Sequence, residues 1–179
     1  QEDGNLRKKQ MPKNLEIKVK LTSHKEVKEI LKRNKIPFEE LLLQKDIYYK
    51  VDKGLLKLRV ENDKQTLIFY NRNEKSKKRW SDYHLLEIDK TDANKYLKRF
   101  LDVITIVNKK RELYLYKNTR IHLDNVKGLG CFLELETRVL NGLADAEKRF
   151  SFMMDLLRLR DKEEIRASYK DLLLVKDKK

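Results

Sequence analysis

Asn14-Leu15-Glu16-Ile17-Lys18 and Phe132-Leu133-Glu134-Leu135-Glu136 both alternate apolar and polar or ionic residues, more than a hundred positions apart in the chain. At a period of two, Leu15 and Ile17 point to one side of a strand and Glu16 and Lys18 to the other. Leu133 and Leu135 oppose Glu134 and Glu136 in the same way. Carboxylates repeated along one face supply oxygen ligands of the kind that magnesium and manganese take. The stretches between the two segments set Lys and Arg on alternate positions. Metal-holding carboxylates that face a set of cations would make a site for a polyphosphate.

Strands must position these groups, and the pattern supplies about eight. The first runs over 14–21. Ser23-x-x-Glu26 reads as a capping box opening a helix with Val27, Ile30 and Leu31 on one face. Residues 41–51 read as a strand, and Gly54 turns the chain into Leu55-Leu56-Lys57-Leu58-Arg59-Val60. Further strands are predicted over 66–72, 79–88, 103–116, 120–124 and 131–140. Thr91 is the expected N-cap of a helix reaching about Leu101. Val126-Lys127-Gly128-Leu129-Gly130 reads as a turn. Phe150, Met153 and Leu157 recur at helical spacing in 144–159, and a last short helix carries Tyr169, Leu172 and Leu173. The fold class is α+β, mostly antiparallel, with the sheet curled or closed.

The 179 residues fit one domain. Residues 1–10 are polar and lack an apolar signal core, and Met11 fits a natural start. The reading is therefore a leader, tag remnant or flexible arm at 1–10 and a single domain over 11–179. Hydrophobic residues make up 40% and charged residues another 40%, which excludes a disordered chain. The net charge of +14 favours anionic partners without choosing among nucleotides, nucleic acid and acidic membrane surfaces. One cysteine, Cys131, leaves no intrachain disulfide and makes a reducing cytoplasm the default. No apolar stretch approaches the ~20 residues that span a bilayer. The expected state is a monomer or homodimer.

The polar faces of these strands carry Glu16 and Lys18, then Lys57 and Arg59, then Arg72. Arg79 and Ser81 follow, then Lys109 and Arg111, then Arg120, His122 and Asp124, and last Glu134 and Glu136. An antiparallel sheet ordinarily turns one charged face to water, and any single strand here fits that description. Two features argue otherwise for the set. The glutamates concentrate on the first and last strands, with cations between them. The helices carry apolar stripes that need the other face of the sheet. A closed sheet with a charged interior holds solvent and an ionic ligand, and unpaired cations converging on one cavity call for a multiply charged anion.

On these residues the chain resembles the CYTH-domain proteins, the triphosphate tunnel metalloenzymes that include class IV adenylyl cyclases and thiamine triphosphatases. The family opens on Glu-x-Glu-x-Lys, matched here by Asn14-x-Glu16-x-Lys18 with asparagine at the first glutamate. The resemblance continues through Gln44-x-Asp46-x-Tyr48-Tyr49, Leu56-Lys57-Leu58-Arg59, Ile68-Phe69-Tyr70-Asn71-Arg72 and Lys109-Lys110-Arg111-Glu112-Leu113-Tyr114. The long run Ile121 to Glu136 and then Ser168-Tyr169-x-Asp171-Leu172-Leu173 close it.

The resemblance implies a closed eight-stranded antiparallel β tunnel with a charged interior and flanking helices. It implies Glu16, Glu134 and Glu136 as ligands of Mg2+ or Mn2+, with Asp124 as a helper. Lys18, Lys57, Arg59, Arg72, Lys109, Arg111 and Arg120 become the phosphate binders, with Arg79 a further member. Glu16, Lys18, Glu134 and Glu136 form the catalytic set. The substrate is a nucleoside triphosphate or another triphosphate. The reaction stays open between hydrolysis and cyclisation of ATP to cyclic AMP and pyrophosphate. Asn14 removes one negative charge, which puts a second metal in doubt and keeps a third reading, a non-catalytic binder of triphosphates or RNA 5′ ends.

Other residues carry less. His122 reads first as a hydrogen-bonded strand histidine and second as an acid or base. Trp80 reads as a packing residue before a base-stacking one, and Cys131 as a small core residue. The basic run 75–79 reads as solvated charge or a lid. General nucleic-acid binding follows from net charge, but it gives no account of glutamates paired among basic strands.

Overall fold

A computed structural model of the chain describes residues 14–62, 64–72, 81–89 and 92–177; the side chains of 70–72 and 81–83 lie outside that description. The strands are β1 (Asn14–Leu21), β2 (Phe38–Tyr49), β3 (Leu55–Glu61), β4 (Lys64–Arg72), β5 (Ser81–Ile88), β6 (Val103–Tyr116), β7 (Thr119–Val126) and β8 (Gly130–Arg138). The helices are α1 (Lys25–Arg33), α2 (Ala93–Leu97), α3 (Leu143–Leu156) and α4 (Tyr169–Lys176). The leader at 1–10, the loop 73–78, the run 75–79 with Arg79, Trp80 and Thr91 all fall outside the described residues.

All eight strands join one antiparallel sheet in the order β1-β8-β7-β6-β2-β3-β4-β5. The expected closure into a barrel is not among the strand pairings of the described residues. β1 and β5 end the order, and no pairing joins them among the described residues. Alternation along a strand fixes which side chains share a face. Closure depends on tilt and stagger summed over all strands, which alternation does not encode.

The apolar face carries two helix-covered cores. Val19, Ile121, Leu123, Leu133 and Leu135 meet Val27 and Leu31 of α1 and Met153 and Met154 of α3. Val27 and Leu31 are four residues apart and lie on the same side of α1. Each fully buried side chain of this kind contributes roughly 1.5–3 kcal/mol. The second core joins Ile47, Tyr49 and Leu58 to Ala93, with Leu97 of α2 packed against it. The capping box expected at Ser23 and Glu26 does not form. His24 is the N-cap of α1 and makes no side-chain cap; its Nε2 lies 3.0 Å from the Phe132 carbonyl oxygen, which ties the helix start to β8. At α2 the cap is Asp92, which accepts from the Lys95 amide.

α4 packs on the opposite, charged face. Ser168 and Asp171 form a reciprocal capping box at its start. Tyr169 and Leu173 join Tyr48, Val107, Val126 and Phe132 in a third core. Gly128, at φ 83° in the β7–β8 turn, adopts a left-handed backbone that disfavours a side chain, and a Cβ there would stand 3.4 Å from Leu173. Its carbonyl accepts from Lys176 at 2.6 Å, so the turn and α4 are tied together.

Candidate functional site

Register gathers the expected residues on one face. Glu16 stands opposite Glu136 and Lys18 opposite Glu134 across β1 and β8. Arg120 and His122 oppose Glu136 and Glu134 across β8 and β7. Arg111 opposes Asp124 across β6 and β7, and Lys109 opposes Gln44 across β6 and β2. Arg59 opposes Asp46, and Lys57 opposes Tyr48, across β3 and β2. Arg72 ends β4 opposite Ser81, and its side chain lies outside the description.

Asp124 is fully buried and committed. Arg111 donates to both of its oxygens at 2.6 Å, and the Tyr169 hydroxyl donates at 2.8 Å. Both oxygens of the expected helper ligand thus accept hydrogen bonds from Arg111, and one also from Tyr169. The same arginine donates to Glu134 at 2.6 Å, and Lys18 lies 3.4 Å from the other Glu134 oxygen. Burial opposes ionisation of Glu134, but Arg111, Lys109 and Lys18 outweigh it and hold the carboxyl below its ordinary range. Lys18 also donates to the Ala167 carbonyl just before α4 and lies 4.5 Å from the Tyr169 ring centre.

A second cluster centres on Asp46. Lys57 donates to it at 2.9 Å, and Arg59 makes two bonds of 2.7 and 2.8 Å. Burial works against the Asp46 carboxylate, yet Lys57 and Arg59 keep it ionised well below the usual range. Lys109 is different. It is buried and lies 5.4 Å from the Tyr169 ring, with no carboxylate in ion-pair range among the described residues. Burial, then the Arg111 charge, pulls its pKa down to about 7. His122 is likewise pushed down to about 3 by burial and then by Arg111. It is neutral near pH 7, so its 4.0 Å approach to Glu134 is not an ion pair.

At the β1 end, Asn14 donates to Glu136 at 2.7 Å, and Arg120 reaches the other Glu136 oxygen at 3.4 Å. The Asn14 side-chain oxygen is buried and accepts no hydrogen bond among the described residues. No group of three or more His, Cys, Asp or Glu side chains converges as a ligand set among the described residues. The donor chemistry nonetheless fits a hard divalent cation. Glu16 and Glu136 oppose each other, Glu134 is in the adjacent row, and Asn14 brings an unused amide oxygen.

Two residues of this network did not stand out as site residues in the sequence. Asp46 shares the parity of Gln44 and Tyr48 in its motif, and that alternation could have marked it. Tyr169 falls in the closing motif Ser168-Tyr169-x-Asp171, but helical spacing does not say which face of the sheet a helix will cover.

The fold is an eight-stranded antiparallel sheet with α1, α2 and α3 packed on its apolar face and a network of paired carboxylates and cations, together with α4, on the other. The CYTH domain family matches residues 12–169, and the chain belongs to that family. A protein of Methanocaldococcus jannaschii named "Putative adenylate cyclase MJ0240" is 27% identical over 170 residues, covering 88% of this chain and 97% of its own. The structure of PH1012 from Pyrococcus horikoshii superposes with a TM-score of 0.75 at 20% identity, covering 89% of this chain and 99% of that one. The Hippeastrum "Putative adenylyl cyclase HpAC1", whose dominant activity is that of a triphosphatase, gives a TM-score of 0.68 at 14% identity over 93% of this chain and 96% of its own.

Proposed function

We propose that this chain binds a triphosphate on the charged face of its sheet and hydrolyses it with a divalent cation, Mg2+ or Mn2+. The observation that carries the reading is the shared face. Lys18, Lys57, Arg59, Lys109, Arg111 and Arg120 fall on one side of the sheet with Glu16, Glu134 and Glu136. In this reading Glu16, Glu134, Glu136 and the Asn14 oxygen hold the cation, which supplies charge neutralisation at the phosphoryl oxygens. The arginines grip phosphate oxygens in pairs, and the lysines supply point charge. Arg72 and Arg79 complete the set of cations. Asp124 and Tyr169 fix Arg111, so that positioning is done before substrate arrives.

Phosphoryl transfer asks for neutralisation and alignment more than for covalent help. In hydrolysis, water attacks the terminal phosphorus, the bond to the bridging oxygen breaks, and orthophosphate and a diphosphate leave. Cyclisation would need the ribose 3′ oxygen in line with the α-phosphorus instead. Hydrolysis is favoured because it requires no ribose pocket, and because HpAC1 combines a cyclase name with triphosphatase chemistry. Asn14 supports a second reading, capture of a triphosphate without turnover, since it replaces a carboxylate and binds Glu136.

Incubation with ATP, inorganic triphosphate or thiamine triphosphate, with and without Mg2+ or Mn2+, separates the readings by chromatography. Orthophosphate release that depends on the metal supports hydrolysis. Cyclic AMP with pyrophosphate assigns a cyclase, and tight binding with no product assigns a capture module.

A further inference from the structure

The other face of the sheet carries a basic groove lined mostly by residues outside the proposed triphosphate site. It has a volume of about 720 Å³ and lies on β2, β3, β6 and β7. Lys45, Lys110 and Lys127 line it, with Asn62, Asn108 and Asn125 between them. Lys45 and Lys110 take the alternate positions to Gln44, Lys109 and Arg111 and so belong to the face opposite the charged network. The groove falls between the core under α1 and α3 and the core under α2.

All three lysines are exposed, and among the described residues none forms an ion pair or hydrogen bond through its side chain. They stand on or just beyond three neighbouring strands. Two strand spacings put their Cα positions roughly 10 Å apart from end to end. Long lysine stems can bring such charges onto successive phosphates of one chain. Leu43, 57% exposed, and Val60 add an apolar floor. A lone phosphate would leave that floor and the amides idle. A nucleotide chain uses the lysines for phosphate, the amides for sugar and base edges, and the floor for base faces.

We infer that this groove is a binding surface for single-stranded nucleic acid, separate from the triphosphate site. The net charge of +14 is the matching long-range field. The groove is also bordered by Gln44 and Lys109, so the experiment has to separate the two faces.

A fluorescent single-stranded RNA 12-mer with a 5′ hydroxyl is titrated with the full chain and followed by anisotropy across a salt series. Three lysine–phosphate contacts predict a slope of log affinity against log salt near about −2. K45Q/K110Q/K127Q should weaken binding at least tenfold and leave triphosphate binding unchanged, whereas K45R/K110R/K127R should retain RNA binding. Excess inorganic triphosphate should not displace the RNA. Displacement by triphosphate, equal binding by the glutamine variant, or no RNA binding at low salt would overturn the inference. So would an acidic peptide of the same charge that binds as well as the RNA.

Discussion

Arg111 holds Asp124 through two parallel hydrogen bonds of 2.6 Å, and its Nη2 also reaches Glu134. One guanidinium thus links a buried structural carboxylate to a carboxylate proposed to touch metal. Asp124→Asn should leave Arg111 with Glu134 as a remaining carboxylate partner and lower stability by roughly 1.5–3 kcal/mol, the range for a lost hydrogen bond to a charged group. The loss should be the same with and without Mg2+, measured by urea unfolding. A loss seen only in the presence of metal would return Asp124 to the ligand set.

Asn14 and Glu136 are joined by a bond that the family's glutamate could not make in the same way. Asn14→Glu removes the donor and sets two carboxylates together. We expect Mn2+ affinity to rise at least tenfold by calorimetry, and apo stability to fall slightly. Glu136→Gln should weaken Mn2+ binding and abolish metal-dependent turnover. Unchanged metal affinity in both variants would place the cation elsewhere.

Asp46 occupies Lys57 and Arg59 with a negative charge from the protein itself. Asp46→Asn should destabilise the chain by roughly 1.5–3 kcal/mol, because Lys57 and Arg59 both lose a charge-assisted hydrogen bond to this carboxylate. Millimolar inorganic triphosphate should raise the melting temperature of this variant by more than that of the unaltered chain. Equal shifts would mean that these two cations do not bind phosphate. The sign of the pH effect follows from the lowered carboxyl pKa. Asp46 contributes stability above its unfolded pKa, near about 4, and that contribution is lost as the pH falls toward the folded value.

Lys109 lies near half-protonation at neutral pH, since burial and Arg111 bring its pKa to about 7. A bound triphosphate would favour the ammonium form. Titration of inorganic triphosphate at pH 8 should therefore take up protons, seen as a calorimetric heat that changes with buffer ionisation enthalpy. Lys109→Arg should remove that uptake. For stability the sign is opposite to that of an ordinary lysine pair. The unfolded chain binds the proton more tightly, so stability rises between about pH 7 and the unfolded lysine value near about 10.4.

The alternation of Leu15-Glu16-Ile17-Lys18 and Leu133-Glu134-Leu135-Glu136 already determined which side chains share a face, because a strand offers only two. It also determined the positions of most strands and the placement of the basic residues with the acidic ones. Three matters belonged to tertiary structure. Asp124 became the partner of a buried arginine because β6 and β7 pair in a particular register. α4 came to rest on the charged face, where Tyr169 reaches Asp124, although its spacing alone fits either side of a sheet. Whether β1 and β5 meet was set by twist and stagger accumulated over eight strands, which no local pattern carries.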